Sequence, residues 1–250
     1  MMIDIVPKIS FQCPVCANYY YGSTFCSGNT FGATYYTDGS MNSPYLPRES
    51  FITQCPKCKT FLDKRFLKPM KNQIRLVFDF KERAELMPRP SKSKNPDISF
   101  KETPELKKKL ETAGHIDDHF RSDAAEAAFL EEALAKGLYY PERAPEWLKE
   151  DYNKRKCKSI LQDLWHCYNR DRTICSEARY KEICKQYISF LHEYDDKERL
   201  FLAELYRNIG EFEKSKDLLQ GFRAPEKYKD YIDCILKEIE KQNTYTVALP

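Results

Sequence analysis

Cys13-Pro-Val-Cys16 and Cys55-Pro-Lys-Cys58 are the two stretches that decide the fold of the first part of this chain. In each stretch two residues separate the cysteines, so both thiolates can reach one tetrahedral metal ion from a tight turn. The proline at the second position fixes φ and stiffens that turn. Apolar and aromatic residues flank both turns, which predicts two β-hairpins. We therefore expect a zinc ribbon in which one structural Zn²⁺ is bound by Cys13, Cys16, Cys55 and Cys58.

Two other interpretations of the paired cysteines stay open, namely a redox site and chance. A thioredoxin-like redox site needs one Cys-x-x-Cys at the start of a helix within a βαβ pattern, and the sequence has no such pattern. Four protein thiolates would also complete the coordination of Zn²⁺ and leave no position for a water molecule. We therefore expect a structural metal rather than a catalytic one.

The spacer between the knuckles, Ala17–Gln54, is longer than a minimal ribbon needs. Asp38-Gly39 follows a run of β-prone residues and predicts a hairpin turn. This hairpin would either extend the ribbon or form a separate aromatic surface. Cys26 is either a fifth thiol near the metal or a small buried residue. Beyond the second knuckle, the β-rich run Gln73–Phe80 predicts a further strand.

The composition changes after the ribbon and predicts a second domain. Met87–Pro96 is rich in proline, serine and lysine, as linkers are. From Thr103 onward the sequence is rich in Glu, Lys, Leu and Ala and predicts helices throughout, with no strand. We therefore expect an α+β protein with a zinc-ribbon β module over 1–82, a linker over 83–102 and an all-α helical domain over 103–250.

Helix start and stop signals divide that domain further. Thr103-Pro-Glu, Ser122-Asp and Pro145 are typical helix starts, and Gly137 is a typical helix end. The predicted helices are about 103–112, 124–136, 145–170, 177–194, 197–209, 212–219 and 226–241.

Two of these helices carry similar patterns. Leu164-Trp165 precedes Tyr168, and Leu202-Ala203 precedes Tyr206, after which Gly210 and Ser215 follow at a turn and in the next helix. This order is typical of tetratricopeptide-like repeats. A plain helical bundle whose Tyr and Leu residues form the core is the alternative.

In a repeat array the first helices would present a concave face to a protein or peptide partner. In a plain bundle the same residues form a solvated polar face. The candidate partner-binding residues are Gln162, His166, Asn169, Glu204, Arg207 and Asn208.

Signals for other chemistry are weak. His115 and His119 could hold a metal on a helix, but Gly114 precedes them and no HExxH pattern is present. The sequence also has no Gly-rich phosphate loop and no nucleophile motif, so an enzymatic function is not favoured.

Composition excludes several classes of protein. With 41 basic and 38 acidic residues, the net charge of +3 is too small for a polybasic membrane anchor or a dedicated nucleic-acid coat. The sequence has neither an apolar run of spanning length nor a signal-peptide core at its start. The ten cysteines do not follow the dense pattern of a secreted disulfide scaffold. A cytoplasmic protein without membrane contact is expected.

This plan resembles that of the bacterial family DUF2225, in which two Cys-Pro-x-Cys knuckles precede a tetratricopeptide-like helical region. The residues that carry the resemblance are Cys13-Pro-Val-Cys16, Cys55-Pro-Lys-Cys58 and Leu202-Ala-Glu-Leu-Tyr206 with Gly210. The second knuckle departs from the family pattern, because Lys59-Thr60 stands where Gly-Tyr or Gly-Phe is expected. The family has no settled activity, so the resemblance implies architecture more than function.

The sequence therefore favours a non-enzymatic, zinc-stabilised interaction or adaptor protein with a protein or peptide partner. The alternative is a nucleic-acid-associated factor that binds through a basic, Tyr-rich ribbon. The basic residues of that alternative are Lys57, Lys59, Lys64, Arg65, Lys68 and Lys71.

Overall fold

The chain forms two compact units in this computed structural model, which describes residues 5–25, 30–43, 52–63, 114–116, 121–139, 146–222 and 225–250. The described part of the first unit, the ribbon unit, is 5–25, 52–63, 114–116 and 138–139. That of the second, the helical unit, is 30–43, 121–137, 146–222 and 225–250. Helices predominate among these residues and the strands are antiparallel hairpins with one parallel addition, so the predicted α+β class is confirmed at this level.

The strands form one three-stranded sheet and two hairpins. In chain order they are β1 (Ile5–Gln12), β2 (Tyr19–Phe25), β3 (Thr34–Tyr35), β4 (Met41–Asn42), β5 (Ile52–Gln54), β6 (Phe61–Asp63) and β7 (Gly114–Ile116). Antiparallel pairs are β1 with β2, β3 with β4, and β5 with β6. In the first pair Gln12 lies opposite Tyr19, and β7 adds to β2 in the parallel direction. Each cysteine knuckle is therefore the loop of a hairpin.

The helices of the helical unit pack mostly against their neighbours in sequence. In chain order they are α1 (Asp123–Lys136), α2 (Glu146–Arg170), α3 (Glu177–Ile188), α4 (Asp196–Asn208), α5 (Phe212–Leu219) and α6 (Lys229–Glu240). Short 3₁₀ turns at Arg172–Ile174 and Glu226–Tyr228 precede α3 and α6. Each helix contacts the next one, and α6 also contacts α4.

Most predicted helix boundaries in the described residues are confirmed. Ser122 caps α1 by accepting a hydrogen bond from the N–H of Ala125, and Gly137 ends that helix with φ of +75°. Helix α3 was predicted to reach Tyr194 but ends at Ile188. The backbone N–H of His192 donates to the Glu198 carboxylate instead of to a helical carbonyl. The helix predicted over 103–112, the strand over 73–80 and the linker 83–102 lie outside the described residues.

The expectation of an all-α region after residue 103 was wrong at β7. Gly114–Ile116 forms a strand that pairs with Tyr20–Gly22 in the ribbon unit. A three-residue strand leaves no periodic signal in the sequence, and its partner lies far away along the chain. The same finding removes the helical metal site proposed for His115 and His119, because His115 lies on this strand and His119 lies outside the described residues.

Residues 30–43 in the middle of the spacer belong to the helical unit. We call this stretch the spacer hairpin; it contains β3, β4 and the predicted turn at Asp38-Gly39, where the N–H of Gly39 donates to the carbonyl of Tyr36. Both Thr37 and Asp38 are buried. The sequence-based division assigned these residues to the ribbon, and the difference arises because their polar groups bond to helices, as described below.

The core of the helical unit is centred on Trp165. Its indole ring is fully buried and lies edge-on to Phe201, with ring centroids 6.0 Å apart, and 5.7 Å from the ring of Tyr187. The indole N–H donates to Oδ1 of Asn208 at 3.0 Å, so the buried polar atom is satisfied. The apolar face of α2 therefore packs against both α3 and α4.

Within the described residues, no helix combines the length and the apolar character needed to cross a membrane.

Gly39 is a position at which the spacer hairpin and α4 can be tested. Its φ is +74°, and a Cβ added there would lie 2.6 Å from Cε1 of Phe201. We expect Gly39→Ala to lower the free energy of unfolding by about 2–4 kcal/mol, because it combines left-handed strain with overpacking. Denaturant unfolding followed by tryptophan fluorescence measures this loss.

Gly210→Ala is the matched control, because Gly210 has φ of +86° and a Cβ added there would meet no atom within 4 Å. This control should lose only about 1 kcal/mol, the contribution of backbone strain. Equal losses in both variants would contradict the close packing of the spacer hairpin on Phe201.

Candidate functional site

The two cysteine knuckles have the same local structure. In the first, the N–H of Ala17 donates to the carbonyl of Cys13 at 2.9 Å. The N–H of Cys13 donates to the carbonyl of Asn18 at 2.8 Å. The second knuckle repeats both bonds, from Lys59 to Cys55 at 2.9 Å and from Cys55 to Thr60 at 3.0 Å. These bonds close each turn, so its two thiols point to the same side.

Each knuckle also contains a residue with positive φ directly after its second cysteine. Ala17 has φ of 55° and Lys59 has φ of 60°. Side chains other than glycine rarely adopt this conformation, which costs roughly 1–2 kcal/mol per residue. Glycine adopts this conformation most easily, so Ala17 and Lys59 keep the geometry of the knuckles without that residue.

The four cysteine sulfurs form one cluster. The Sγ atoms of Cys13, Cys16, Cys55 and Cys58 all lie within 4.8 Å of one another. Two separations that join the knuckles are 3.6 Å, from Cys13 to Cys58 and from Cys16 to Cys55. Tetrahedral thiolates at a metal–sulfur distance of about 2.3 Å lie about 3.8 Å apart. The cluster therefore has the size of a metal site with four sulfur ligands.

The cluster lies in the small core of the ribbon unit. Cys13 and Cys55 are buried, while Cys16 and Cys58 are half-buried at its edge. Leu62 on β6 is buried in the same cluster, and Tyr139 packs against it. The N–H of Tyr139 also donates to the carbonyl of Phe61 at 2.9 Å. Sequence reasoning missed Tyr139, because it follows the end of α1 and carries no motif.

The thiols differ in acidity. Burial raises the pKa of Cys55 to about 12 and also raises the pKa of Cys13. Burial opposes ionisation of Cys58 too, but hydrogen bonds from the Thr60 hydroxyl and backbone lower its pKa to about 6. The Sγ of Cys58 lies 3.2 Å from Oγ1 of Thr60. A divalent cation is the group that would stabilise four thiolates in this space, and its binding would release the protons of Cys13 and Cys55.

The structure places three of the predicted partner-binding residues inside the helical unit. Glu204, Arg207 and Asn208 on α4 are all fully buried, whereas the sequence predicted an open face. Arg207 and Glu204 form a two-pronged ion pair, in which Nη2 donates to Oε1 at 2.6 Å and Nε donates to Oε2 at 2.9 Å. The Thr37 hydroxyl of the spacer hairpin donates to the same carboxylate at 2.6 Å.

The other three predicted residues lie on α2 and are half-buried. Asn169 donates through Nδ2 to Oδ2 of Asp38 at 2.8 Å, and Nε2 of His166 donates to the carbonyl of Asp38 at 3.1 Å. Gln162 lies on the same helix, one turn before His166. The spacer hairpin therefore occupies part of the face that the sequence assigned to a partner, because its polar groups pair with those of α2 and α4.

A second stretch of the same chain covers the part of that face on α4. Residues 243–249, which we call the end segment, contact α4 and then the end of β3. The guanidinium of Arg207 donates to the carbonyls of Asn243 and Tyr245, to the latter at 2.9 Å, and Nδ2 of Asn208 donates to the carbonyl of Thr244 at 3.0 Å. Ala248 forms an antiparallel bridge with Tyr36, the residue that follows β3.

Sequence reasoning missed both covering segments as parts of this site. The turn at Asp38-Gly39 was identified, but its partner helices were not, because the contact joins residues 128 and 131 positions apart. The β-prone run Thr244–Val247 after the last helix was the available signal for the end segment. Cys26 lies outside the described residues, so its relation to the metal site stays open as a prediction.

The buried ion pair allows a test of this polar core. We expect Glu204→Gln to lower the free energy of unfolding by about 3–5 kcal/mol, because Arg207 would keep a buried charge without its carboxylate. The measurement is denaturant unfolding followed by tryptophan fluorescence, to which Trp165 beside Asn208 contributes.

Glu132→Gln on α1 is the matched control. It breaks an ion pair with Lys136 whose side chains are 47% and 61% exposed, and such pairs contribute less than about 1 kcal/mol. If Glu204→Gln were no more destabilising than this control, the buried network would not hold α4 to the spacer hairpin.

Comparison of the chain with protein-family models, with curated proteins and with solved structures gives no match. The resemblance to DUF2225 therefore stays a prediction. The structure itself provides four clustered thiols that could hold a metal ion and a separate unit that is mostly helical.

Proposed function

We propose that this protein is a non-enzymatic, zinc-stabilised interaction protein. Its four cysteines would bind one structural Zn²⁺ in the ribbon unit, and its helical unit, built from tetratricopeptide-like helix pairs, would bind a protein or peptide partner. The observation that carries the proposal is the sulfur cluster, in which all four Sγ atoms lie within 4.8 Å of one another.

The ligand set favours zinc and a structural role. Soft thiolates in a tetrahedral arrangement select Zn²⁺ or iron–sulfur chemistry, and two Cys-x-x-Cys knuckles on hairpins are typical of zinc ribbons. Four protein ligands fill the coordination sphere, so neither a water nucleophile nor a substrate oxygen has a position at the metal. This arrangement supports a metal that stabilises the ribbon rather than one that reacts.

The helix pair α4–α5 supports the repeat-like part of the proposal. Gly210 adopts φ of +86° at the turn between the helices, a conformation that suits glycine. The hydroxyl of Ser215 on α5 donates to the carbonyl of Ala203 on α4 at 2.6 Å. Small residues at these positions let the helices approach closely, as in tetratricopeptide repeats.

Metal content tests the proposal most simply. We expect one Zn per chain in the purified protein, and loss of that Zn when Cys13, Cys16, Cys55 or Cys58 is changed singly to Ser. Cys157→Ser is the matched control, because Cys157 is a half-buried thiol on α2, outside the cluster, and its loss should leave the metal content unchanged. Elemental analysis gives the ratio of metal to protein.

Chelation shows which of the two units depends on the metal for its folding. Removal of zinc should unfold the ribbon unit and leave the helical signal in far-ultraviolet circular dichroism largely intact, since the described helices lie in the other unit. Absence of metal, or its loss in only one cysteine pair, would contradict the structural site and favour thiol redox chemistry.

The nucleic-acid alternative has less support. Lys57 and Lys59 are exposed on the second knuckle, as that alternative requires. Lys64, Arg65, Lys68 and Lys71 lie outside the described residues. A basic face on the ribbon therefore stays a prediction from the sequence.

A further inference from the structure

The end segment, residues 243–249, is bound mainly through its main chain, with one side-chain bond from Nδ2 of Asn243 to Oε2 of Glu238 at 2.6 Å. The carbonyls of Asn243 and Tyr245 accept hydrogen bonds from the guanidinium of Arg207. The carbonyl of Thr244 accepts from Nδ2 of Asn208 at 3.0 Å and from Nη2 of Arg172 at 2.9 Å. Three successive carbonyls are thus held by side chains of the helical unit.

The second half of the end segment pairs with the backbone at the end of β3 and just beyond it, at Tyr35–Thr37, as an added strand would. The N–H of Thr37 donates to the carbonyl of Val247 at 3.0 Å, and the N–H of Val247 donates to Oγ1 of Thr37 at 3.3 Å. The N–H of Leu249 donates to the carbonyl of Tyr35 at 2.8 Å. Addition of a strand to an exposed edge is a common mode of peptide recognition, in which main-chain bonds supply affinity.

The donors of this site are also held by groups outside the end segment. Arg207 is oriented by its ion pair with Glu204, which is itself held by Thr37. Arg172 stacks on the ring of Tyr180, with its guanidinium 3.3 Å from the ring centroid. Groups that are held in place lose little conformational freedom on binding, so such a site favours affinity.

The side chains of the end segment make fewer bonds than its main chain. Tyr245 is 60% exposed, with its ring centroid 5.4 Å from the guanidinium of Arg172, and Ala248 is exposed as well. Because most of the bonds are to carbonyls and N–H groups, the site accepts different extended peptides that present these groups in the same order. Proline is the exception, because it lacks the N–H that positions 247 and 249 donate.

We propose that Arg172, Arg207, Asn208 and the β3 edge form a binding site for an extended peptide, which the end segment occupies within the chain and which an extended segment of a partner protein takes over. This inference rests on the proposed interaction function and names the surface and the class of partner. It also explains why the predicted partner-binding residues of α4 are buried, since the chain supplies its own occupant.

Peptide binding in trans tests the site directly. A variant truncated after Gln242 is loaded with zinc. It is then titrated with a fluorescently labelled peptide of residues 243–250, Asn-Thr-Tyr-Thr-Val-Ala-Leu-Pro. We expect saturable binding that unlabelled peptide reverses. The full-length chain should bind the labelled peptide at least tenfold more weakly, because its own segment is present at an effective concentration of order millimolar.

Variant peptides show whether the main chain is recognised. Peptides that carry Val247→Pro or Leu249→Pro should bind at least tenfold more weakly, because each lacks one donated hydrogen bond, and a tenfold change corresponds to about 1.4 kcal/mol. Ala248→Ser is the matched control, since that side chain is exposed, and its affinity should stay within twofold.

Three results would contradict the peptide site. A truncated protein that keeps its helical signal but binds no peptide would overturn the proposal, as would binding that the proline variants do not weaken. If the truncated protein does not fold, a protease site inserted between Gln242 and Asn243 lets the full chain fold before cleavage. Labelled peptide should then exchange with the cleaved segment, and failure to exchange would make the segment a fixed part of the fold.

The zinc experiment and the peptide experiment fail independently. Loss of peptide binding in a protein that contains one Zn per chain would remove only the peptide site. Absence of zinc in a protein that binds the peptide would remove the structural metal and leave the peptide site in place.

Discussion

The ribbon unit depends on one constraint, namely that the four cysteine Sγ atoms must lie within coordination distance of a single metal ion. Its second hairpin has strands of only three residues each, and an isolated two-stranded hairpin is marginally stable at best. The apolar residues of the cluster are few, with Leu62 buried and Tyr139 beside it. A metal bound by Cys13, Cys16, Cys55 and Cys58 would join the two hairpins at their loops. It would thereby add stability that so small an apolar core does not supply.

The helical unit depends on a different interaction, the buried ion pair of Glu204 and Arg207. Both side chains are fully shielded from solvent, so each needs its full set of partners. The spacer hairpin supplies a hydroxyl to Glu204, and the end segment supplies carbonyls to Arg207. Two segments far apart in sequence are thereby joined at one pair of charges on α4, and this pair lies at the centre of the proposed peptide site.

The sequence predicted what local patterns encode and missed what distant contacts decide. The knuckles, the turn at Gly39 and the cap of α1 at Ser122 depend on neighbouring residues, so their residue types were sufficient. β7 and the cover over Arg207 depend on partners more than thirty residues away, for which a single sequence gives no pairing signal. Polar spacing predicted an open face for Glu204, which is wrong because its own chain covers that side chain.

X-ray absorption at the zinc edge of the purified protein tests the central claim most directly, because it counts the ligands and measures their distances. A closed ribbon site predicts four sulfur neighbours at about 2.3 Å and no oxygen or nitrogen bound to the metal. Fewer than four sulfurs, or a light-atom ligand at about 2.0–2.2 Å, would mean an open coordination position and would contradict a closed structural site.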